Sequence, residues 1–168
     1  MALTRRLALL SALSFTSLAL AACGKAKPKA MPPSVAKAFL EKNAKAPGVV
    51  VTKSGLQYQV LRSGPPEGLH PKPGDEIKVN YEGKLTDGEV FDSSYARGVP
   101  AVMPLRGLVQ GWMEALPLMR PGDEWMLWAP PDLGYGDQDT GPIPPGSVLV
   151  FKLELIGVLP DENSTGRA

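Results

Sequence analysis

The sequence holds one cysteine, Cys23, and one histidine, His70. A lone cysteine excludes an internal disulfide, and a lone histidine removes most metal-site and Ser-His-Asp arrangements. No glycine-rich phosphate loop is present either. Charge of one sign is also missing. Eighteen Lys and Arg stand against 17 Asp and Glu, a formal net charge of +1, which leaves no electrostatic footprint for nucleic acid. Any chemistry must therefore work without Cys pairs, His clusters or a phosphate loop, and no metal or cofactor is expected. Glycine and proline are plentiful, 18 of each, and favour many short strands separated by turns. With 43% hydrophobic and 21% charged residues over 168 positions, one globular domain with appendages is expected.

Residues 1–22 read as an address. Arg5 and Arg6 form a positive start, and Leu7 to Leu20 an apolar run shorter than the roughly 18–20 residues that span a bilayer. Small Ala21 and Ala22 then precede Cys23. The run Leu20-Ala21-Ala22-Cys23 resembles the lipobox of bacterial lipoproteins, which implies cleavage before Cys23 and acylation of that cysteine. Several acyl chains would hold a soluble domain stably on a membrane, where one would be marginal. A plain secretory signal with an incidental cysteine is the alternative. Gly24 after the cysteine, in place of Asp, points by the same resemblance to the outer membrane, with the domain facing the periplasm.

Residues 23–48 are expected to form an anchored tether with one short helix. GKAKPKAMPP, residues 24–33, has little to bury and reads as a solvated spacer. From Ser34 to Ala46 the composition turns helical, with Ser34 as a candidate N-cap and Pro47-Gly48 as the stop. Residues 49–160 carry the folded domain, and 161–168 a flexible tail. Leu56, Tyr58 and Val60 alternate as in a half-buried strand. Ile77, Val79, Tyr81, Gly83 and Leu85 alternate more clearly, and Asp87-Gly88 marks a hairpin turn. Leu108, Trp112 and Leu116 recur every four residues, as on a short helix ended by Pro117. Trp125 to Ala129 and Leu149, Phe151, Leu153, Leu155 complete the strands. KPGDE (72–76) and RPGDE (120–124) read as one turn chemistry used twice. The fold class is α+β, an antiparallel sheet covered by one short helix.

Four blocks then become specific: VNYEGKLTDGEVFDSS (79–94), GWMEALPLM (111–119), PPDLGYG (130–136) and IPPGSVLVFKLEL (143–155). In their order and spacing they resemble the signature blocks of FK506-binding-protein (FKBP) type peptidyl-prolyl cis-trans isomerases. The lead-in FLEKNAKAPGVVVTKSGLQYQVL (39–61) resembles the macrophage-infectivity-potentiator branch of bacterial members. The resemblance implies a curved sheet of five to six strands wrapped around one short helix, with an apolar pocket for a proline ring. Position by position, Tyr81, Phe91, Asp92, Trp112, Tyr135 and Phe151 would be its catalytic residues. Leu108, Val109 and Ile143 would help bind substrate, and Arg97 would support Asp92. Taken singly, Tyr81, Phe91, Phe151 and Trp112 read as core aromatics, Tyr135 as a loop aromatic, and Asp92 as a turn aspartate. Trp125 and Trp128 read as packing residues. Ala101 stands where the best-known members carry a pocket aromatic, and residues 136–142 make a polar loop where relatives roof the pocket.

Such a pocket has a chemical rationale. Resonance sets a barrier of about 18–20 kcal/mol to peptide rotation, so X–Pro exchange takes tens to hundreds of seconds unaided. The twisted amide has lost charge separation, and a dry apolar pocket favours it over the planar dipolar ground state. No nucleophile is needed. Trp112 would be the floor, Tyr81, Phe91 and Phe151 the walls, the Val109 N–H and Tyr135 hydroxyl the donors. Proline-containing exported polypeptides are the expected substrates, and macrolides such as FK506 candidate ligands. Two other classes stay open: a proline-peptide-binding holdase or scaffold without turnover, and a purely structural envelope lipoprotein. A monomer is expected, because too few residues separate Cys23 from Val49 for the long helical region through which infectivity-potentiator relatives pair.

Overall fold

The computed structural model describes residues 29–161. The expected leader, Cys23 and residues 162–168 of the tail lie outside them. The order of elements is α1 (Pro33–Asn43), β1 (Val50–Val51), β2 (Gln57–Arg62), β3 (Glu76–Lys84), β4 (Val90–Ser93), α2 (Ser94–Arg97), β5 (Ala101–Pro104), α3 (Gln110–Ala115), β6 (Glu124–Ala129) and β7 (Leu149–Leu159). Single 3-10 turns at Leu116–Leu118 and Pro131–Leu133 follow α3 and β6. All strands join one antiparallel sheet in the order β1-β2-β6-β7-β3-β4, with β5 also on β3. β4 pairs with Glu82–Lys84 and β5 with Glu76–Val79, so the two share one edge position and α2 is the excursion between them. Seven strand segments thus fill six positions, in keeping with the five to six expected.

The alternation in β3 is realised: Ile77, Val79, Tyr81 and Gly83 are buried, and Leu85 follows. Together with Leu127, Phe151, Leu153 and Leu155 they meet Trp112, Ala115, Leu116 and Met119 from α3 and the turn after it. The helix is shorter than its period of four suggested. Leu108 precedes it, and Pro117 sits within the 3-10 turn that ends it.

The two PGD turns are the same device. In each, Asp N–H bonds the carbonyl three residues back, Lys72 or Arg120, across a Pro–Gly pair whose glycine has φ of 100° or 93°. Only glycine adopts that conformation without strain at the third position of a type II turn. Both aspartates are buried, and each carboxylate accepts the N–H of residue 72 or 120, at 2.8 and 2.9 Å. Asp123 also accepts Gly64 N–H at 2.6 Å. These turns launch β3 and β6 from fixed points.

Two expectations need correction at the amino-terminal side. Ser34 does not cap α1; Pro32 holds the N-cap position and Pro33 the first helical one, where a missing N–H costs nothing. The spacer is also not wholly solvated, since Met31 N–H bonds Pro145 O at 3.0 Å. In β2, Val60 is 43% exposed whereas Gln57 is 4% exposed. α1 buries Gln57, whose side chain accepts from Asn43 Nδ2 at 2.8 Å and donates to Leu40 O at 2.9 Å. No helix among the described residues is long and apolar enough to cross a membrane.

Candidate active site

A cleft of about 370 Å³ opens beside α3, β3 and β7, lined by Tyr81, Phe91, Asp92, Leu108, Val109, Trp112, Tyr135 and Phe151, with Met103, Gly107 and Gly134. Eight of the expected residues converge there. Trp112 is buried on α3 and forms its base. Its ring meets Tyr81 edge-on at 5.0 Å between centroids and Phe151 at 5.4 Å. Phe91 from β4 in turn meets Phe151 edge-on at 5.8 Å. Such edge-to-face contacts are the favoured aromatic geometry, and here they brace three walls against one floor.

Gly83 makes the arrangement possible. A Cβ there would lie 2.5 Å from Phe91 Cε2 and 2.9 Å from Phe151 Cε1. Only the missing side chain lets both rings close over β3. The indole nitrogen of Trp112 is buried without a hydrogen-bond partner among the described residues. An unsatisfied buried donor costs about 1–3 kcal/mol, so the ring is held by its aromatic neighbours and not by a polar anchor.

The edge of the cleft is polar. The Tyr81 hydroxyl donates to Asp92 Oδ2 at 2.5 Å, Arg97 Nη2 donates to the Tyr81 oxygen at 2.8 Å, and Arg97 Nη1 donates to Asp92 Oδ1. α2 delivers Arg97: Ser93 caps it through Ala96 N–H, and Gly98 ends it in the left-handed region. Behind it, buried Ser94 accepts Tyr81 N–H at 2.8 Å. Burial pushes the Asp92 carboxyl up, but the bonds from Tyr81 and Arg97 and the Arg97 charge outweigh it and hold the group below its ordinary range. Burial, then the bond to Asp92, raise the Tyr81 phenol, with Arg97 opposing.

Opposite, Tyr135 stands on the turn after Pro131–Leu133, 37% exposed. Gly136 N–H to Pro131 O and Gly146 N–H to Gly136 O hold that loop. Val109 is the N-cap residue of α3; its carbonyl takes Trp112 N–H, and its own N–H has no acceptor among the described residues. Arg97 pairs with Asp92 and Tyr81, the supporting place expected for it, and does not itself line the cleft. One expected position differs. Ile143 is buried in the core and is not among the lining residues. Ala101 packs against the core. Met103 was not anticipated, although Ala101 and Met103 alternate with exposed Val102 along β5.

The family described as FKBP-type peptidyl-prolyl cis-trans isomerase matches residues 68–156, and the domain amino terminal to that isomerase matches residues 24–60. The chain is 50% identical over 123 residues to peptidyl-prolyl cis-trans isomerase Mip of Coxiella burnetii, covering 73% of this chain and 53% of that protein. It is 44% identical over 122 residues to outer membrane protein MIP of Legionella longbeachae, covering 72% of this chain and 52% of the relative. The crystal structure of FkpA from Escherichia coli superposes with a TM-score of 0.72 at 43% identity, over 76% of this chain and 59% of FkpA. The chain therefore spans a little over half the length of each. Sheet order, cleft and these likenesses agree, and the chain belongs to the FKBP-type peptidyl-prolyl cis-trans isomerase family.

Proposed function

We propose that this protein is a peptidyl-prolyl cis-trans isomerase that speeds X–Pro exchange in exported and envelope polypeptides. One observation carries the proposal: an apolar cleft floored by Trp112 and walled by Tyr81, Phe91 and Phe151, with Asp92, Val109 and Tyr135 also lining it. A prolyl ring seated on Trp112 would leave its imide bond beside Asp92, the Val109 N–H and the Tyr135 hydroxyl. The apolar walls disfavour the planar, charge-separated amide, and the two donors hold flanking carbonyls while the bond turns. Asp92, fixed by Tyr81 and Arg97, orients polar groups near the turning amide. Met103 adds apolar surface, and macrolides such as FK506 would compete for the same cleft.

The setting is the cell envelope, with Cys23 acylated after removal of residues 1–22 and the domain facing the periplasm from the outer membrane. The Leu20-Ala21-Ala22-Cys23 run supports this, as does the outer-membrane name of the Legionella relative. Residues 23–48 link the anchor to the isomerase domain, 49–160, and a monomer suffices because one chain supplies the whole cleft. A direct isomerisation assay on several X–Pro peptides tests the activity. The purified protein accelerates exchange, and an Asp92→Ala, Tyr135→Phe double variant loses most of that effect. A folded protein with no effect on any peptide would instead indicate a binding module. The mass of the mature protein from membranes tests Cys23 separately.

A further inference from the structure

Charge is divided unevenly along the chain. Residues 24–53 hold seven lysines against the single acid Glu41, whereas residues 54–168 hold nine Lys and Arg against sixteen Asp and Glu. A basic amino-terminal segment of formal charge +6 is therefore joined to an acidic body of −7. Five of those lysines, Lys29, Lys37, Lys42, Lys45 and Lys53, fall on described residues, and all five are exposed.

α1 holds several of them on a fixed frame. The helix is fastened to the body through Met31 to Pro145 and through Gln57 to Leu40 and Asn43. At 100° per residue, Ala36, Leu40, Asn43 and Ala44 face the body. Each of them is buried or half-buried. Val35, Ala38 and Lys42 point the other way, and Lys45 follows in the turn that continues the helix. Val35 is 51% exposed, and Phe39, one turn on, is only half-buried. The Lys37–Glu41 pair at 3.8 Å is largely exposed and takes little from the field of the other lysines.

We propose that this exposed basic face of α1 rests on an anionic lipid surface. Apolar Val35 and Phe39 among the lysines favour lipid over an acidic polypeptide, because they give the face something to press into the headgroup boundary. Position favours it as well: Pro33 is ten residues after Cys23, within about 33 Å of it at full extension. The proposal rests on the envelope reading for its setting alone.

The test uses the polypeptide 24–168, which has no acyl chain and contains every core residue from Ala36 to Leu155. It is sedimented with vesicles of phosphatidylcholine, or of phosphatidylcholine mixed with phosphatidylglycerol. Binding is expected only to the mixed vesicles, and to fall as salt is raised. Each lysine near such a surface changes partitioning by about fivefold, so K37Q/K42Q/K45Q loses on the order of a hundredfold. K72Q/K78Q/K84Q, with the same change of charge elsewhere, binds nearly as the parent does, and circular dichroism verifies that both variants fold. Three results would overturn the proposal: no sedimentation at low salt, equal losses in the two triple variants, or capture by polyglutamate that anionic vesicles do not displace. None of these bears on Cys23 acylation, which the mass of the mature protein reads.

Discussion

The Tyr81 hydroxyl donates to Asp92 Oδ2 at 2.5 Å, so a wall ring of the cleft is tied to the carboxylate at its edge. Arg97 bonds both partners and closes the group. The ring presents its face to substrate while its oxygen fixes Asp92. One residue thus serves the apolar and the polar half of the site.

Tyr81→Phe separates those halves, because it keeps the wall and removes the tie. A net hydrogen bond contributes about 0.5–1.5 kcal/mol, so the melting midpoint should drop by roughly a few degrees, and kcat/KM should fall about two- to tenfold as Asp92 loses its tie. Arg97→Lys should lose a comparable factor, since one ammonium does not reproduce a planar fork that reaches two acceptors. Steady-state kinetics and circular dichroism check both variants. Full activity in Tyr81→Phe would show that Asp92 needs no fixing.

The pH dependence follows from the same group. Asp92 is held below the ordinary 3.8, so the stability it adds is present above its unfolded value and is lost as pH falls through the lower, folded one. Tyr81 is raised above 10.0, so its contribution is present below that value and is lost as pH rises through the folded one. Neither group changes charge between about pH 5 and 9. Isomerisation and thermal midpoint should both be flat across that range at constant ionic strength. A limb inside it would mean that another titrating group acts.

Gly83→Ala tests the close approach of Phe91 and Phe151. The added carbon meets both rings within 3 Å, so one or both must move out of the cleft wall. A loss of about 1–3 kcal/mol in urea unfolding is expected from the overpacking. Activity should fall further than stability explains when assayed well below the unfolding midpoint. Unaltered kinetics would show that the wall tolerates the shift.

Trp112→Phe should dissociate stability from function. It removes ring surface, which destabilises, and it also removes a buried N–H that lacks a partner, which stabilises. These opposing effects are each on the order of 1–3 kcal/mol, so the folding free energy should change by no more than about 2 kcal/mol. The floor beneath the prolyl ring is nevertheless smaller, and KM should rise. If stability drops steeply while KM holds, Trp112 is a packing residue first.

Much of this was readable in the sequence because the period of two is strongest where both sheet partners are long. β3 and β7 announce themselves, and with them the inward aim of Tyr81 and Phe151. The split edge was not readable. β4, α2 and β5 are four residues each, too short for any period to emerge, so Met103 escaped notice. Gln57 is buried because α1 covers a face that the strand's own pattern leaves polar. Ile143 followed the family pattern into the core without reaching the cleft. Gly83 sat plainly within the alternation, yet its purpose depends on where two distant phenylalanines meet.

The most direct measurement is exchange NMR on a Leu-Pro peptide with a catalytic amount of the protein. The cis and trans prolyl signals should exchange far faster than the unaided tens to hundreds of seconds, and intermolecular Overhauser contacts should join the prolyl ring to Trp112. Exchange at the unaided rate despite those contacts would contradict catalysis by this cleft, as would fast exchange with no contact to Trp112.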